Sequence, residues 1–556
     1  MSEDLWSLAE RAADLARIER DGVELLVVGG GITGAGVLRD AASRGLRAAL
    51  VERGDFASGT SSRSSKFVHG GLRYIGEGQL SITREACRER DLLLRLAPHL
   101  VERVPFLLPS YPDAPPLWQV RAALCIYAAL ANFRSSARFR MLAPEQVKDF
   151  SRDFRPDGVH GAGLYWDARV DDARLVIETL KSARRLGCPA VNHAEVIEFA
   201  TDSRGSRKIT GARVRDRLSG RTLSIRAQVV VNAAGPAVDR VRGIAHPVKR
   251  PELRPAKGIH LVISGDRIHT RGTISFPGSD GRHLFLSPWG DVALIGTTDN
   301  FTSEIDEPVV TLGEVHYLLD AVRVAFPSVR LGPSDLLSVY AGVRPLPAGP
   351  DADTPPSSVS REDRIYRDPS GLLSAAGGKL TTYRAMGQKI VDRVLEQIPR
   401  SRRRELGRSR TAKLSLRDDD FDFREMESEL RRRFGVGSLQ SEHLVRTYGV
   451  LAETLLLAVP EALRRPIGQS RYTFAEIPWT LRTECPATLC DLLERRLRVA
   501  MFASGQGLPE LDRIAQVAAE SAGWDADRTR AEMRAYTNAV HRSYRVADPA
   551  PKRSAA

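Results

Sequence analysis

The sequence predicts an α/β protein in which a Rossmann-like nucleotide-binding domain is interleaved with an antiparallel-sheet domain and followed by an all-α domain. A short apolar run, a glycine motif and a helical pattern form the first ordered unit of the chain. Apolar runs typical of buried parallel strands return much further along, with alternating runs between them. The last part of the chain carries leucines at helical spacing. With 556 residues, 42% of them hydrophobic, the chain is long enough for several packed domains.

The first ordered unit is a strand–turn–helix–strand segment. Glu24–Val28 is a short apolar run that predicts a buried strand, and it leads into the motif formed by Gly29, Gly31 and Gly34. A helix follows, and then a second strand that ends at Glu52. In such a unit the glycines permit a tight turn and a close approach of a pyrophosphate, which faces the helix N-terminus. The acid accepts hydrogen bonds from ribose hydroxyls and disfavours a 2′-phosphate, so FAD or NAD is predicted and NADP is not.

Distant segments are predicted to complete the two sheets. Residues 228–234 and 372–376 are apolar runs followed by glycine, as expected for further strands of the nucleotide-binding sheet. Between them, residues 260–263, 284–286 and 292–295 alternate in the manner of half-exposed antiparallel strands. The two sheets are therefore predicted to be interleaved along the chain.

The predicted domain boundaries follow from these patterns. Apolar residues at helical spacing, beginning at Leu444, Leu489 and Leu511 and separated by prolines, predict helices in the last part of the chain. We expect an N-terminal extension at 1–22, the interleaved domains at 23–395, a basic linker at 396–412, a helical domain at 413–545 and a tail at 546–556.

The charge balance indicates an anionic partner. Lysine and arginine total 82 against 69 acidic residues, a formal net charge of +13. The densest basic stretch, Arg400–Arg410, is interpreted as a solvated linker, with attraction to anionic lipid or phosphate as the alternative. No basic module with interleaved aromatic residues is present, so nucleic acid is not an expected partner. The five cysteines form no CxxC pair, which favours reduced thiols and no metal site.

No segment is predicted to cross a membrane. The N-terminus has acidic residues and no apolar core of signal-peptide length. The most apolar stretch, Leu117–Phe133, is 17 residues long and contains Gln119 and Arg121. Crossing a bilayer takes about 20 predominantly apolar residues. The stretch is therefore interpreted either as an interfacial helix or as part of a packed core.

The run after Glu52 separates the two cofactors that the glycine motif leaves open. Residues 55–74 read DFASGTSSRSSKFVHGGLRY and combine small hydroxyl side chains, glycines and basic residues. This composition suits a long cofactor whose isoalloxazine ring lies beyond the adenosine half, so FAD is predicted. An ordinary serine-rich loop is the alternative.

Eight short motifs lie in order within residues 23–395. They are VVGGGITGAGVLRDAASRGL (27–46), GTSSRSSKFVHGGLRY (59–74), YWDARVDDARLV (165–176), VNAAGP (231–236), KGIHLV (257–262), GTTD (296–299), YAGVRPL (340–346) and GGKLTTYR (377–384). Through them the chain resembles the FAD-dependent glycerol-3-phosphate dehydrogenases, flavin enzymes that reduce quinone, within the D-amino-acid-oxidase-like superfamily. The helical region resembles the C-terminal domain of that family through residues 444–449 and 487–496.

The resemblance implies FAD as cofactor and sn-glycerol 3-phosphate as substrate. Its substrate-binding positions match Arg73, Tyr74, Arg344 and Lys379, and basic side chains of this kind form charge-assisted hydrogen bonds with a phosphate. The residues assigned to FAD are Gly29, Gly31, Gly34, Glu52, Thr60, Ser61, Ser62, Ser64, Lys66, Ala234, Gly235, Gly377, Gly378, Lys379, Leu380 and Thr381.

The implied reaction is oxidation of glycerol 3-phosphate to dihydroxyacetone phosphate. A hydride leaves C2 for flavin N5, and a proton leaves the C2 hydroxyl. Arg344 is expected to stabilise the developing alkoxide. His69 and His260 lie on the matching motifs, and either can accept the proton because the reference pKa of histidine is about 6.5. The choice between them stays open.

The resemblance also implies that the electrons pass to a membrane quinone. The expected location is cytoplasmic and peripheral, on the inner face of the cell membrane, with anionic lipid attracting the basic surface. The physiological acceptor, a homodimer and the role of residues 1–22 stay open. One alternative is an oxidase that uses oxygen with the same substrate, which the lack of a large insertion disfavours. Another is an amine or amino-acid oxidase, which needs carboxylate recognition but no phosphate site.

Overall fold

The computed structural model describes residues 5–112, 115–132, 138–155, 157–202, 208–248, 250–348, 363–417 and 421–547. In chain order the strands are β1 Val23–Val28, β2 Ala48–Val51, β3 Phe67–Val68, β4 Val101–Ser110, β5 Phe139–Leu142, β6 Gly161–Val170, β7 Ala190–Val191, β8 Ala194–Thr201, β9 Ile209–Asp216, β10 Thr222–Asn232, β11 Ala256–Ser264, β12 Thr273–Pro277, β13 His283–Trp289, β14 Val292–Gly296, β15 Asn300–Phe301, β16 Leu336–Arg344, β17 Arg364–Arg367 and β18 Leu373–Ala376.

The helices alternate with these strands in the first two thirds of the chain and dominate the rest. They are α1 Leu8–Asp21, α2 Ile32–Arg44, α3 Arg73–Gly76, α4 Leu80–Leu96, α5 Leu117–Leu130, α6 Pro144–Phe150, α7 Asp172–Arg185, α8 Val238–Ala245, α9 Leu312–Ala325, α10 Tyr383–Leu395, α11 Arg400–Arg403, α12 Phe423–Phe434, α13 Ser438–Tyr448, α14 Leu451–Leu457, α15 Glu476–Thr483, α16 Val499–Phe502, α17 Leu511–Ala522 and α18 Ala526–Ser543.

One sheet carries the predicted nucleotide-binding unit. Its strand order is β17-β18-β10-β1-β2-β7, and the pairs from β18 to β7 are parallel. β8 and β9 extend it as an antiparallel pair beside β10. Helices α2 and α10 cross closely because Gly36 and Gly387 meet, and a Cβ on Gly387 would lie 2.6 Å from the carbonyl carbon of Gly36. The distant apolar runs therefore do complete this sheet, and the predicted α/β fold class is confirmed.

The second sheet is largely antiparallel, as predicted. Its order is β15-β11-β14-β13-β12-β4-β6-β3, with β16 paired to β11 and β5 paired to β6. Helix α9 packs on one face, where Leu318 and Val322 join the buried side chains of β11. Strands of this sheet come both before and after β7–β10 in the chain, so the two sheets are interleaved.

The C-terminal region is helical, but two of its segments differ from the regular helices that the apolar spacing predicts. The apolar spacing that begins at Leu444 is divided between two helices, because α13 ends before Gly449, which has φ +56°, and α14 follows. The second difference is at Asp491–Arg496, which forms a π-helix instead of an α-helix. The wider π turn accompanies ion pairs from Arg495 and Arg496 to the same carboxylate, that of Asp55.

The basic segment around residue 405 is attached to the first sheet. The Arg402 guanidinium pairs with Glu24 at 2.6 Å, at the start of β1. Arg410 donates a hydrogen bond to the carbonyl oxygen of Ser43 at 3.0 Å. The interpretation as a solvated linker is therefore wrong at Arg402, which is partly buried against Glu24, whereas Arg410 is exposed despite its hydrogen bond. Arg404 and Arg408 do face solvent.

Helix α5 covers most of the apolar stretch from 117 to 133. Its Val120 and Leu124 pack against Gly163 of β6, while Trp118 and Ile126 are 68% and 42% exposed. The helix is thus both a core element and an exposed apolar surface, and the end of the stretch lies outside the described residues. In the part of the chain that the structure describes, no helix is long and apolar enough to cross a membrane.

Candidate functional site

Four predicted motifs meet at one edge of the first sheet. The carboxyl ends of β1, β2, β10 and β18 lie side by side, with Val28 paired to both Val51 and Asn232. The residues that follow these ends belong to the glycine motif, to Glu52, to the 234–235 turn and to the 377–381 loop. Ligands of parallel α/β sheets bind at this kind of edge, and we call this one the cofactor edge.

Glycines keep this edge open to a ligand. Gly29 has φ +114°, and a Cβ on it would lie 2.5 Å from the Ala233 carbonyl oxygen. A Cβ on Gly34 would lie 1.9 Å from the carbonyl oxygen of Gly29. Helix α2 begins immediately after Gly31, with the amide groups of its first turn directed at this space. The backbone here fits the pyrophosphate of a dinucleotide such as FAD.

Glu52, which is predicted to bind the ribose, directly follows the end of β2. The Glu52 carboxylate accepts hydrogen bonds from the backbone N–H groups of Gly30 at 2.6 Å and Gly54 at 2.8 Å. Burial raises the pKa of Glu52, although these two donors act against the rise. Each carboxylate oxygen has a second lone pair, so the side chain can still accept ribose hydroxyls.

The serine-rich loop divides into two parts. Ser61 Oγ accepts a hydrogen bond from the Ile32 N–H at 3.0 Å, which places this hydroxyl at the start of α2. Thr60–Ser62 form a 3₁₀ turn, and Ser62 is buried. Ser64 Oγ instead donates to Asp172 at 2.7 Å, and Lys66 Nζ pairs with the same carboxylate at 2.8 Å. The first part thus faces the cofactor edge, and the second part is tied to α7.

The buried ion pair below this loop was not found from the sequence. Lys66 and Asp172 both have fully buried side chains, and Arg498 of the helical region lies 3.3 Å from the same carboxylate. Burial, together with the charge of Arg498, lowers the pKa of Lys66 to about 8. Asp172 stands in the matching motif at 165–176, which was the available signal. The assignment of Lys66 to FAD stays a prediction.

The 234–235 turn and the 377–381 loop form the other side of the edge. Gly235 has φ +57°, and the Ala234 N–H donates to Asn232 Oδ1 at 3.2 Å. Gly378 has φ +99°, and a Cβ there would lie 2.7 Å from Met386 Sδ. Gly377 also has a positive φ, +78°, and Leu380 packs against the core of the first domain. Gly377 and Gly378 therefore let the loop pass close to α10, and they place no side chain of their own at the edge.

One face of the β11–β16 pair carries two of the predicted catalytic side chains, those of His260 and Arg344. His260 is paired with Tyr340, and four residues away Ala256 is paired with Arg344. Because side chains alternate along a strand, these four point to the same face. Gly258 lies between them, and a Cβ on it would be 2.5 Å from Arg344 Nη2. The missing side chain of Gly258 is what allows the guanidinium to lie against the sheet.

Arg344 is held in a fixed orientation. Its Nη1 pairs with Asp299 at 2.9 Å, and its Nη2 donates to Thr297 Oγ1 at 3.1 Å. Its side chain is 21% exposed, so part of the guanidinium remains accessible. Asp299 and Thr297 belong to the GTTD motif, which signalled their importance but not their role.

His260 is buried, and its surroundings disfavour the charged form of the ring. Its ring stacks on Tyr340 with centroids 4.8 Å apart, and Nε2 lies 2.8 Å from Ser65 Oγ. Burial, with the charges of Arg344 and Lys66, lowers the pKa of His260 to about 3. Nδ1 is also buried and has no hydrogen-bond partner among the described residues.

His69, Tyr74 and Lys379 form a second group beside the 377–381 loop. The His69 N–H donates to Thr381 Oγ1 at 3.1 Å, which ties the HGG segment to that loop. Lys379 Nζ lies 3.8 Å from the ring centroid of Tyr74. Arg73 is 42% exposed and pairs with Glu77 at 3.1 Å. The structure therefore places Lys379 beside Tyr74 and ties the backbone of His69 to the same loop. Arg73 is more exposed, with its guanidinium carbon 5.6 Å from the Tyr74 ring centroid.

The serine-rich loop connects the cofactor edge to the strand that carries Arg344. It packs directly on β16, since a Cβ on Gly342 would lie 2.3 Å from the Arg63 carbonyl oxygen. Thr60 Oγ1 donates to the carbonyl oxygen of Val343 at 2.5 Å, one residue before Arg344. The loop that faces the cofactor edge therefore also contacts the strand that carries Arg344.

A further polar cluster lies at the boundary with the helical region. Ligand atoms of Asp55, His193 and Asp491 lie within 4.8 Å of one another. Asp55 is already paired with Arg495 at 2.6 Å and with Arg496 at 2.8 Å. Two arginines neutralise the carboxylates, which makes this an ion-pair network rather than a cation site.

Comparisons with known proteins agree with this geometry. A family model described as FAD dependent oxidoreductase matches residues 24–393, and one described as C-terminal domain of alpha-glycerophosphate oxidase matches residues 409–529. The aerobic glycerol-3-phosphate dehydrogenase of Staphylococcus aureus is 33% identical over 540 residues, which are 95% of this chain and 96% of that protein. The protein of the same name from Staphylococcus saprophyticus is 33% identical over 524 residues, 92% and 93% of the two chains.

A solved structure is similar over nearly the whole chain. It is the glycerol-3-phosphate dehydrogenase from Bacillus halodurans complexed with FAD, with a TM-score of 0.78 and 29% identity, covering 97% of this chain and 98% of that one. The open glycine edge and the acid at the end of β2 fit the same cofactor. The chain therefore belongs to the FAD-dependent oxidoreductases and, among them, to the family of the aerobic glycerol-3-phosphate dehydrogenases.

Proposed function

We propose that the protein oxidises sn-glycerol 3-phosphate at C2 to dihydroxyacetone phosphate, with FAD as the immediate oxidant and a membrane quinone as the final acceptor. The observation that carries the proposal is the anchored guanidinium of Arg344, on a face that Gly258 keeps clear and beside the cofactor edge. The relatives that are 33% identical bear the name of this activity. When bound, FAD supplies the acceptor for the hydride that leaves C2.

The proposed substrate is a dianion, and two different elements offer cations for it. Arg344 on β16 and Lys379 in the 377–381 loop are the groups that we assign to substrate binding, with Tyr74 supporting the ammonium group of Lys379. Arg73 is at the rim, where it can meet the phosphate as the substrate enters. Charge-assisted hydrogen bonds from such groups are stronger than neutral ones, which favours a phosphate over an uncharged alcohol.

The C2 hydroxyl proton needs an acceptor that can hold it. His260 is a poor candidate, because burial keeps its pKa near 3 and both ring nitrogens are enclosed. His69 is half-buried and is anchored through its backbone to the loop that carries Lys379. We assign the proton to His69 and a packing and field role to His260, with Arg344 stabilising the alkoxide that forms as the proton leaves.

The reaction is tested by anaerobic addition of sn-glycerol 3-phosphate to the purified, FAD-loaded protein. The flavin absorbance near 450 nm should bleach with this substrate and should not bleach with glycine or a D-amino acid. Re-oxidation by a soluble quinone, with little peroxide formed in air, would support a dehydrogenase over an oxidase. Persistent colour with glycerol 3-phosphate, or bleaching by an amino acid, would contradict the proposal.

The exposed face of α5 supports peripheral membrane attachment. Trp118 and Ile126 are large apolar side chains that face solvent on α5, and the chain as a whole has a formal net charge of +13. Apolar side chains of this kind enter the headgroup region of a bilayer, where the quinone is also found. Quinone acceptor, lipid surface and inner-membrane location thus form one proposal.

Vesicle flotation tests the membrane part. The protein should float with vesicles that contain phosphatidylglycerol, and the double variant Trp118→Ala/Ile126→Ala should stay in the soluble fraction. Leu457→Ala is the control, because Leu457 is 60% exposed but lies in the helical region. Equal flotation of all three proteins would remove α5 from the proposal, and no flotation at all would remove the membrane.

A further inference from the structure

The loop from Glu52 to Phe56 depends on neighbours outside the glycine motif. The Glu52 N–H donates to the Val191 carbonyl oxygen at 2.9 Å, and the Ala194 N–H donates to the Glu52 carbonyl oxygen at 2.7 Å. The Phe56 ring is fully buried and would lie 2.8 Å from a Cβ on Gly30. The positions of Glu52 and Gly30 are therefore set by the segment after β7 and by the Phe56 ring.

The N-terminal helix α1 holds both of these supports. Arg11 is 3% exposed and donates two hydrogen bonds to the Asn192 carbonyl oxygen, from Nε at 3.0 Å and from Nη2 at 2.7 Å. The same guanidinium pairs with Asp216 at 2.6 Å. Trp6, just before the helix, is 1% exposed and lies with its ring centroid 5.1 Å from that of Phe56.

The helical region contacts the same place. The backbone N–H of Trp6 donates a hydrogen bond to the Arg482 carbonyl oxygen at 2.9 Å. Asn192 Nδ2 donates to Asp55 Oδ1 at 3.0 Å and to the Cys485 carbonyl oxygen at 2.9 Å. Residues 5–22 thus lie where the first domain, its ribose-binding loop and the helical region meet.

We infer that residues 5–22 form a strap that positions the Glu52–Phe56 loop for the adenosine half of FAD, with Arg11 and Trp6 as its positioning residues. The inference rests on the assignment of Glu52 to the cofactor in the proposed function. In the described part of the chain, Arg11 and Trp6 contact Asn192, Asp216 and Phe56, none of which is assigned to the substrate. The strap should therefore affect the affinity for FAD and not the chemistry at C2.

The test measures FAD binding to the full-length protein after the flavin has been removed. The dissociation constant comes from the change in flavin fluorescence on titration, for the wild type, Arg11→Ala, Trp6→Ala and Arg20→Ala. Arg20 is the matched control, because it lies on the same helix with a 72% exposed side chain and pairs only locally with Asp21. Arg11→Ala and Trp6→Ala should weaken FAD binding by about tenfold or more, while Arg20→Ala should not.

A second comparison separates positioning from simple loss of stability. Asp216→Asn removes the ion pair to Arg11 but keeps the two hydrogen bonds to the Asn192 carbonyl oxygen, so it should lower the melting temperature and leave FAD affinity near that of the wild type. With saturating FAD, Arg11→Ala should retain the wild-type KM for glycerol 3-phosphate. Wild-type FAD affinity in folded Arg11→Ala and Trp6→Ala would overturn the strap.

The result is independent of the proposed reaction. If wild-type flavin fails to bleach with glycerol 3-phosphate while Arg11→Ala still weakens FAD binding, the proposed function fails and the strap stands. Equal weakening by Arg20→Ala and Arg11→Ala would instead show a general effect of the helix and overturn the specific role of Arg11.

Discussion

Replacing Arg344 by alanine removes a guanidinium whose direction is fixed by two neighbours. Asp299 holds Nη1 at 2.9 Å and Thr297 holds Nη2 at 3.1 Å, so little entropy is lost when the group meets the substrate. A hydrogen bond from a charged donor contributes about 1.5–3 kcal/mol, and loss of one donor to a developing oxyanion lowers kcat by about 10²–10³. We expect kcat/KM for glycerol 3-phosphate to fall by about this factor in Arg344→Ala.

Flavin content is expected to survive the same substitution. Arg344 contacts Asp299, Thr297 and the Thr298 carbonyl oxygen, which belong to residues that are not assigned to FAD. The ratio of absorbance at 450 and 280 nm should therefore match that of the wild type. Arg344→Lys should fall between the two proteins, because an ammonium group keeps the charge but cannot reproduce the planar fork.

Steady-state turnover with a soluble quinone is the assay, and Arg267→Ala is its control. Arg267 is 41% exposed on the same domain and pairs with Asp335 at 3.0 Å, so its loss should leave kcat/KM within about twofold of the wild type. A change of less than about threefold in flavin-loaded Arg344→Ala would show that the guanidinium does not meet the substrate, and the site would have to be sought elsewhere.

Three further predictions follow from the site and its surroundings. His69→Gln should lower kcat by about 10²–10⁴, whereas His260→Gln should lower it less than about tenfold, which turnover measurements distinguish. Glu52→Gln should weaken FAD binding about tenfold in a fluorescence titration, with the KM for substrate unchanged at saturating FAD. Burial lowers the pKa of His193, but the hydrogen bond and charge of Asp491 outweigh burial, so the pKa is raised. The pair therefore stabilises the fold below a pH of about 6.5, and this stabilisation is lost as the pH rises. His193→Gln should lower the melting temperature at a pH of about 6 and much less at a pH of about 9.

The cofactor edge could be predicted from the sequence because its signals are local. The glycine motif, Glu52 and the turns after β10 and β18 each lie within a few residues of a strand end, and strand ends of a parallel sheet converge. The face carrying His260 and Arg344 was accessible only through the family resemblance, because their shared orientation depends on the pairing of β11 with β16. Register between distant strands leaves little trace in a single sequence.

Buried ion pairs could not be predicted for a different reason. Lys66 and Asp172 are 106 residues apart, and Asp55 and Arg495 are 440 apart. In the sequence each of these side chains looks like an ordinary surface charge, because charged residues are rarely buried without a partner. The π-helix at Asp491–Arg496 is missed with them, since its leucine spacing is compatible with an α-helix.

These ion pairs attach the helical region to the two loops that are predicted to bind FAD. Arg496 and Asp55 have fully buried side chains, and Arg498 reaches the Ser62 carbonyl oxygen at 2.7 Å as well as Asp172. A buried charge left without its partner costs about 3–5 kcal/mol, so neither side of the boundary can separate without exposing or stranding charge. The Glu52–Phe56 loop and the serine-rich loop are thus both held by arginines of the C-terminal helical region. We therefore expect a substitution at Arg496 or Arg498 to disturb the predicted cofactor edge, although neither residue belongs to the domain that forms that edge.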